Sequence, residues 1–366
     1  MQPVHSAQRR IRIEDLEGFC VEAMLKRGMR HEDARVTANV LVTTDSWGVH
    51  THGTKHLRMY LERVRAGGID AQAVPRVTAE GPGWAMMDAR KAMAMICSHR
   101  AMELAIEKAR ASGTGYVGVK QSTHFGAAGF YANMAADKGM IGIAMSNVDA
   151  NMTVPGARGG VIGNNPFAYA VPAGEEHPVM LDVALSTVAA GKIFAAKDRG
   201  EAIPDNWIVD ENGVPTTNTA DYPRIGTLLP MAAHKGYGLA VMVEVLAAVL
   251  TGASMTKDVK SWVLDLDQCT DEGHAFIALD VGALMPLDLF KQRMDAMIRG
   301  IKASPLARGS ERIYLPGEKE WEKREEAVRN GISLPDDVVA NLVKMGEELQ
   351  IGAPAFMDPA HGAHGA

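Results

Sequence analysis

The sequence has little of what several classes of protein require. Its 366 residues include only 3 cysteines, Cys20, Cys97 and Cys269, which are odd in number and widely spaced. This argues against a disulfide scaffold and fits a reducing cytoplasm, where we expect the protein to reside. Aromatic residues make up 5% and the net charge is -6, so the basic field and stacking residues that bind nucleic acid are missing.

Uninterrupted apolar runs are scarce as well. The most apolar segment, residues 236–253, carries Glu244 near its centre, and a carboxylate in the middle of a bilayer is costly. We therefore expect a buried core helix there and no membrane contact. The N-terminal segment has basic residues but no apolar stretch typical of a signal peptide, so none is expected.

The sequence does contain a change of pattern along the chain. Apolar residues recur at helical spacing up to about residue 68 and again at residues 286–351. Between them, short apolar strands alternate with helices. We expect strands at residues 84–88, 116–119, 141–146, 167–171, 179–183 and 275–280. The predicted fold class is α/β (α+β), with a mixed-sheet domain of residues 75–299 inserted into a helical domain of residues 1–74 and 300–366.

One stretch contains a formal G-x-G-x-x-G, formed by Gly113, Gly115 and Gly118. The dinucleotide fingerprint of a Rossmann fold needs a strand before the glycines and a helix after them. Here the order is reversed, because a helical pattern precedes Gly113 and the apolar residues 116–119 follow it. We interpret these glycines as the end of a helix and the start of a strand.

Three histidines, His50, His52 and His56, lie close together in the segment GVHTHGTKH. In an extended segment His50 and His52 would point the same way, and neutral imidazoles suit Zn²⁺ or Fe²⁺. No carboxylate or cysteine with an established ligand spacing is close by, so we expect no metal. Thr51 and His52 offer another use, because a hydroxyl beside an imidazole on a bent turn can orient a general acid or base. A structural role for these residues is the alternative.

Two strand ends carry residues that could face a ligand. His124 precedes the small residues that open a new helix, and the N–H groups of residues 126–129 could meet a phosphate or an amide. Asp182 follows another apolar run. The alternative for His124 is a capping or core role, and the alternative for Asp182 is a cap on the next helix.

Three later segments have the same ambiguity. Residues 154–172 are rich in glycine and include Asn164, which favours either a close approach of backbone to a ligand or an irregular turn. His234 and Lys235 precede a helix opened by glycine, which is a good place for a negatively charged group. Glu318 follows a Pro-Gly turn and starts a charged helix, which alone says little.

Taken in order, these segments resemble the malate/L-lactate dehydrogenase family of the type that lacks a Rossmann fold. The family pattern is G-x-x-[ST]-H-G, S-N-H-F-G-x-A-G, G-T-N-P, D-x-A-x-S with G-K, G-H-K-G-Y-G and L-P-G-E. This sequence reads GVHTHG, STHFGAAG, GNNP, DVALS with GK, AHKGYG and LPGE, over about residues 13–352. Six matches in sequence are far more specific than any single one.

The resemblance implies a homodimer that uses NAD or NADP and transfers hydride between the nicotinamide and C2 of a small 2-hydroxy or 2-oxo carboxylate. It implies catalytic roles for Thr51, His52 and His124, with one of the two histidines exchanging the proton of the substrate oxygen. It also implies a set of cofactor contacts, which are His124, Phe125, Gly126, Ala127, Ser146, Asp182, Val183, Ala184, His234, Lys235, Gly317 and Glu318.

Departures from the family pattern fall at the substrate end. Where many members carry an arginine that clamps the substrate carboxylate, this sequence has His56, preceded by Lys55. Asn164 replaces a common threonine and Thr123 replaces a common asparagine. We expect Lys55, His56 and Asn164 to contact the substrate, and the substrate to differ from plain malate or lactate. Arg58 faces elsewhere on a helix, two residues from His56.

Other functions remain open at this point. A related reaction is the reduction of a cyclic 2-imino carboxylate. A metal-dependent hydrolase or lyase built on His50, His52 and a distant histidine would bind stoichiometric zinc. A relative that binds the nucleotide without catalysing a reaction would bind the cofactor but turn over no acid.

Overall fold

The computed structural model describes residues 9–357. The outer ends of the predicted helical domain, and most of the segment considered for a signal peptide, lie outside the described residues. The helices are α1 (Ile13–Leu25), α2 (His31–Ser46), α3 (Leu57–Ala66), α4 (Ala94–Ser112), α5 (Ala128–Ala136), α6 (Ala190–Asp198), α7 (His234–Glu244), α8 (Val281–Leu284), α9 (Leu287–Lys302), α10 (Glu318–Asn330) and α11 (Asp336–Leu349). The strands are β1 (Arg10–Ile11), β2 (Arg76–Gly81), β3 (Trp84–Asp88), β4 (Thr114–Ser122), β5 (Met140–Ser146), β6 (Phe167–Val171), β7 (Val179–Val183), β8 (Ile208–Val209), β9 (Pro215–Thr216), β10 (Thr227–Leu228), β11 (Glu272–Asp280), β12 (Ile332–Ser333) and β13 (Phe356–Met357).

A seven-stranded sheet with the order β2-β3-β4-β11-β5-β6-β7 forms the centre of the molecule. The β3–β4 pair is parallel and every other neighbouring pair is antiparallel. The predicted fold class, a mixed sheet that is not of the parallel Rossmann type, is confirmed. All six expected strands belong to this sheet. Strand β2 was not predicted, because it is an exposed edge strand without the apolar alternation that a half-buried strand shows.

Helices cover both faces of this sheet. Helix α4 packs on β4 and β11, and α5 packs on β5 and β6, which together bury the larger apolar core. On the opposite face, α7 continues into a π-helical turn, Val245–Val249, that packs on β11 and closes a second, smaller core. Strands β4, β5 and β11 are therefore packed between helices on both faces of the sheet. This packing fixes the positions of the strand ends.

The interpretation of the glycine motif is confirmed. Helix α4 ends at Ser112, Gly113 is its left-handed cap at φ 82°, and β4 begins at Thr114. A side chain at Gly115 would place its Cβ 2.0 Å from the carbonyl oxygen of Ala105, so this glycine permits close packing of strand on helix. None of this is a dinucleotide fingerprint.

The two ends of the described chain meet in a small sheet. Strand β1 pairs with both β12 and β13, and α10 and α11 pack against the helices that follow β1. The predicted domain boundaries stay a prediction. Helix α9 runs across position 300, where one of them was placed.

The expectation of a buried core helix at residues 236–253 is wrong in part. Ala240, Val243 and Ala247 are buried against the sheet, but the opposite face is exposed. Leu239 is 54% exposed and Met242 55% exposed, because the sheet covers only one side of α7. Within residues 9–357, no helix is long and apolar enough to cross a membrane.

Candidate active site

The turn that carries the predicted Thr51–His52 pair is built around Asp45, a buried residue near the end of α2. Its carboxylate accepts hydrogen bonds from the backbone N–H of Thr54 at 2.8 Å, from Oγ1 of Thr54 at 2.6 Å and from Nδ1 of His50 at 2.8 Å. A Cβ on Gly53 would lie 2.2 Å from Oδ1 of Asp45, so the chain can wrap the carboxylate only with glycine there. Thr51 and His52 lie at the apex of this turn.

His50 is therefore hydrogen-bonded to Asp45 and is not paired with His52. Within residues 9–357, no group of three or more His, Cys, Asp or Glu side chains is arranged to hold a metal ion. The geometry of His50 thus gives no support to the metal-dependent alternative. His52, whose Nδ1 is bonded to Thr51 and not to a carboxylate, is the imidazole of this turn that remains available.

Five rings gather where the turn meets the end of β4. The centroids of His52 and His124 are 5.6 Å apart, and the rings are stacked within 26°. His56 lies 6.4 Å from His52 and 5.9 Å from His124. Trp262 stacks on His124 at 4.3 Å and 13°, and Tyr60 lies 6.0 Å from His124. We call these five residues the ring cluster.

Hydrogen bonds fix the orientation of two of these imidazoles. Oη of Tyr60 lies 2.5 Å from Nδ1 of His124, and Oγ1 of Thr51 lies 3.0 Å from Nδ1 of His52. Each Nδ1 atom is thus occupied, which leaves Nε2 to exchange a proton with a substrate. This is the arrangement that a general acid or base needs, in which one ring nitrogen is held and the other is available.

The three imidazoles of the ring cluster are held neutral. Removal from water lowers the pKa of His52 and lowers the pKa of His56 to about 4, with a further contribution from His52. Desolvation lowers the pKa of His124 well below its ordinary value, and the repulsion of His52 and His56 lowers it further. A neutral imidazole can accept a proton from a hydroxyl group, and the cluster resists carrying more than one proton.

A cleft of about 260 Å³ opens beside the turn. It is lined by Trp47, Val49, Thr51, His52, Gly126, Ala127, Ala128, Pro166, Met180, Leu181, Asp182, Ala184, Ala189, Gly317 and Glu320. The structure thus brings together, from four separate segments, seven of the residues singled out in the sequence. Small side chains dominate the lining, so the backbone is accessible along much of the cleft.

Asp182 lies in this cleft at the end of β7. Its Oδ2 accepts a hydrogen bond from the backbone N–H of Gly129 at 2.7 Å, in the first turn of α5. Asp182 therefore caps α5, and not the next helix, and the N–H of Gly129 is not available to an anion. Desolvation by the surrounding cleft raises the pKa of Asp182, although the residue keeps an exposed surface; Glu320 adds to the rise, and the bond from Gly129 opposes it.

Three predicted cofactor residues lie behind the cleft. Phe125 is buried and stacks on His274 at 4.6 Å. The hydroxyl of Ser146 lies 2.8 Å from Nδ1 of His274 and donates to the carbonyl oxygen of Asn147 at 2.7 Å. Val183 pairs with Phe167 in the sheet. These side chains support the site from within the core.

Asn164 and Asn151 each donate a hydrogen bond to the other. Its backbone N–H donates to Oδ1 of Asn151 at 2.9 Å, and the Asn151 amide donates to its Oδ1 at 3.3 Å. The next residue, Asn165, donates to Oε2 of Glu244 at 2.8 Å, and Glu244 also accepts from Thr256. Asn165 thus ties the glycine-rich segment to α7, whereas Asn164 is bound to Asn151.

Two further predicted residues are engaged elsewhere. The ammonium of Lys55 lies 2.7 Å from Oδ2 of Asp337 on α11, so in this structure it forms an ion pair within the helical part, and its contact with the substrate stays a prediction. The carboxylate of Glu318 is buried, forms ion pairs with Arg312 and with Lys302, and accepts from the backbone N–H of Leu315. Glu318 thus stabilises the start of α10, while its neighbour Gly317 lines the cleft.

His234 and Lys235 open α7 and are exposed to solvent. The turn before them is held in an unusual conformation, because Ala232 and Ala233 have positive φ values of 48° and 53°. Neither His234 nor Lys235 lines the 260 Å³ cleft.

Sequence reasoning missed Tyr60, Trp262 and Glu320. Tyr60 lies among the apolar residues Leu57 and Leu61 of α3, and only the fold shows that its hydroxyl contacts His124. Trp262 belongs to an irregular segment between α7 and β11 and has no periodic pattern around it. Glu320 lies in the first turn of α10, where a carboxylate is near the unpaired N–H groups, and this position is visible in the sequence.

A family model described as malate/L-lactate dehydrogenase matches residues 11–343 of this chain. The chain belongs to the malate/L-lactate dehydrogenase family. It is 35% identical over 349 residues to malate dehydrogenase from Pyrococcus abyssi, covering 93% of this chain and 95% of that protein. It is 33% identical to ureidoglycolate dehydrogenase (NAD(+)) from Escherichia coli K12, covering 90% of this chain and 94% of that protein.

Solved structures agree with this assignment. Malate dehydrogenase from Pyrococcus horikoshii OT3 superposes with a TM-score of 0.87 at 32% identity, covering 96% of this chain and 99% of that chain. As a member of the malate/L-lactate dehydrogenase family, the protein is an oxidoreductase that acts on the CH–OH group of small hydroxy acids. Its specific substrate and cofactor are separate questions.

Proposed function

We propose that the protein transfers hydride between a nicotinamide cofactor and C2 of a small 2-hydroxy or 2-oxo carboxylate, with histidine as general acid and base. The observation that carries the proposal is the stacked pair of His52 and His124, two neutral imidazoles whose Nδ1 atoms are held by Thr51 and Tyr60. His52 also lines the cleft in which a cofactor can bind.

The residues of the cleft fit a nicotinamide nucleotide. Gly126, Ala127 and Gly317 expose backbone to a ligand, and a side chain at Gly317 would place its Cβ 2.7 Å from the carbonyl oxygen of Met180. Asp182 and Glu320 offer carboxylates to ribose hydroxyl groups, which is how dinucleotide sites commonly hold a ribose. Two carboxylates disfavour a 2′-phosphate, so we propose NAD as the cofactor, with NADP as the alternative.

The protein's own contribution to the reaction is to position the substrate and move a proton. When bound, the cofactor supplies or accepts the hydride. Nε2 of His124 or of His52 takes the proton of the substrate hydroxyl during oxidation and returns it to the carbonyl oxygen during reduction. The stacked rings keep water from the reacting carbon, and Tyr60 keeps the His124 ring in one orientation.

We also propose that the protein is a homodimer of the cytoplasm. The exposed apolar side of α7, with Leu239 and Met242, is a surface that a second copy could bury. Cys20, Cys97 and Cys269 are free thiols, which is the state a reducing compartment maintains.

The experiment that tests the proposed function is a spectrophotometric assay of NADH or NADPH oxidation with a panel of 2-oxo acids and cyclic 2-imino acids. His52→Ala and His124→Ala are compared with wild type. Loss of the acid–base step is expected to lower kcat by roughly 10²–10⁴-fold in at least one of them. Full turnover in both variants, or no thermal stabilisation by either dinucleotide, would contradict the proposal.

A further inference from the structure

Trp262 forms one wall of the ring cluster. Its indole stacks on His124 at 4.3 Å and meets the edge of His56 at 4.9 Å and the face of Tyr60 at 5.9 Å. A substrate whose oxygen reaches Nε2 of a cluster histidine must place its C2 substituents within a few ångströms of these rings. Trp262 is therefore in a position to contact the part of the substrate that differs between one 2-oxo acid and another.

The segment that carries Trp262 is held in place by Arg63, which lies on α3 one turn after Tyr60. Arg63 is fully buried, and its guanidinium donates to the carbonyl oxygens of Trp262 at 2.8 Å, Asp265 at 3.0 Å and Gln268 at 2.6 Å. Five N–H donors in a rigid fork suit this task, and lysine could not replace them. Trp262 is thus a fixed part of the ring cluster, although its segment has little regular secondary structure.

Gly68, just after α3, also helps to hold the segment that carries Trp262. A Cβ at this position would lie 2.3 Å from the carbonyl oxygen of Leu266 and 2.8 Å from that of Gln268. Only glycine lets the chain after α3 approach these carbonyl groups so closely. Two independent features of α3 and its end therefore fix the same segment.

The cations of this region are occupied. Lys55 forms an ion pair with Asp337, and Arg58 binds both carboxylate oxygens of Glu348 at 2.9 and 2.7 Å. Nη1 and Nη2 of Arg63 donate their hydrogen bonds to backbone carbonyl oxygens. His56 stands at the position of the usual arginine clamp, but it is an imidazole that burial keeps neutral.

Because these cations already have partners, the ring cluster can balance few negative charges on a bound substrate. One carboxylate can be balanced by one imidazole that takes up a proton when the substrate binds. A second anionic group would need a second imidazolium about 6 Å away from the first, in a desolvated site where the two would repel each other. A buried carboxyl group, Glu272, lies near Tyr60 and Arg63, and burial raises its pKa well above the ordinary value, so it brings no positive charge to the region.

We propose that Trp262 determines substrate specificity, and that the substrate is a 2-oxo or 2-hydroxy acid with one carboxylate and an uncharged side chain that packs on the indole. Arg63 is the positioning residue that holds Trp262. This inference rests on the proposed function and narrows its substrate class. It distinguishes this chain from the relatives that are named for malate, a dicarboxylate.

The test compares kcat/KM for phenylpyruvate, 2-oxobutyrate and oxaloacetate in wild type, Trp262→Phe, Trp262→Ala and Arg63→Met. Wild type should prefer phenylpyruvate to oxaloacetate. Trp262→Ala should reduce that preference about tenfold or more, and Trp262→Phe, which keeps an aromatic wall, should retain most of it. A wild-type preference for oxaloacetate, or an equal loss for all three acids in Trp262→Ala, would overturn the proposal.

Arg63→Met separates positioning from general stability. If Arg63 acts through Trp262, the double variant Trp262→Ala/Arg63→Met should have the same substrate preference as Trp262→Ala alone. Additive losses of preference would contradict the positioning role. Should Arg63→Met fail to fold, Trp262→Ala and Trp262→Phe still decide the specificity claim.

Calorimetric titration of the three acids, in the presence of NADH, separates this proposal from the proposed function. If none of the acids is reduced, the proposed function fails. The binding measurements still test whether Trp262 determines which acid binds. Phenylpyruvate binding that is weakened about tenfold in Trp262→Ala supports the proposal. Oxaloacetate that binds as tightly as phenylpyruvate, or no binding of either acid, overturns it.

Discussion

Oη of Tyr60 lies 2.5 Å from Nδ1 of His124, and this contact joins the helix after the histidine turn to the end of β4. Tyr60→Phe removes the hydroxyl and keeps the ring that faces Trp262. We expect kcat to fall about tenfold, because the imidazole loses the partner that fixes its orientation. Steady-state kinetics at several pH values would measure this. Tyr131→Phe, which loses the bond to the carbonyl oxygen of Phe125, is the matched control and should change kcat little.

Asp45→Ala should destabilise the protein through the histidine turn. The substitution leaves the backbone and hydroxyl of Thr54, and Nδ1 of His50, without their buried partner. The free energy of unfolding in urea should fall by about 3 kcal/mol. Glu201→Gln breaks an exposed surface pair with Arg199 and should leave the free energy of unfolding nearly unchanged. Equal effects of the two substitutions would refute the role of Asp45.

Gly317→Ala should weaken cofactor binding. Gly317 has φ 87° and lines the cleft, and its Cβ would clash with the backbone of Met180. Gly309→Ala has a similar φ of 84° with open space around it, so it isolates the backbone cost, which is about 1 kcal/mol. We expect Kd for NADH, measured by fluorescence titration, to rise at least about tenfold in Gly317→Ala only. Similar Kd values in both variants would argue that the cofactor does not reach Gly317.

The buried imidazole of His274 should make stability depend on pH. Burial lowers its pKa to about 3, whereas a histidine in the unfolded chain titrates near 6.5. Below about pH 6.5 the unfolded chain binds a proton that the folded protein refuses, so the free energy of unfolding falls as pH falls toward 3. This residue alone should remove about 2 kcal/mol between pH 6.5 and pH 5.

His274→Gln can still bond the hydroxyl groups of Ser122 and Ser146, which lie 2.7 and 2.8 Å from the imidazole nitrogens. Urea unfolding at a series of pH values should therefore show a shallower decline in the variant than in wild type. Parallel curves would mean that His274 does not contribute to acid sensitivity.

The homodimer is tested at Met242, in the middle of the exposed side of α7. Met242→Glu should convert the protein to a monomer, measured by light scattering during size-exclusion chromatography, because a charge would have to be desolvated at the interface. Leu284→Glu, at an apolar residue that is 71% exposed elsewhere, should leave the mass unchanged. A wild-type protein that is monomeric at micromolar concentration would end the proposal.

The sequence predicted the central sheet well because its strands are short, apolar and bounded by turns, as in Phe167–Val171. Local motifs also singled out Thr51, His52 and His124, which the structure brings together, while their catalytic roles stay a prediction. It could not identify Trp262, which reaches the ring cluster only because Arg63 binds its segment from a helix about 200 positions away. Nor could it reveal the ion pair of Lys55 with Asp337, whose carboxylate lies 282 positions away on α11. Long-range charge pairing leaves no local trace in a sequence.

Strand β1 lies between β12 and β13, so residues near position 10 are completed by residues near positions 333 and 356. The same C-terminal segment supplies Asp337 and Glu348, which hold Lys55 and Arg58 beside the histidine turn. During synthesis on the ribosome, the first helices therefore cannot complete their packing until the last helices have been made. We expect the central sheet to fold first and catalytic competence to arrive only when the final helix emerges.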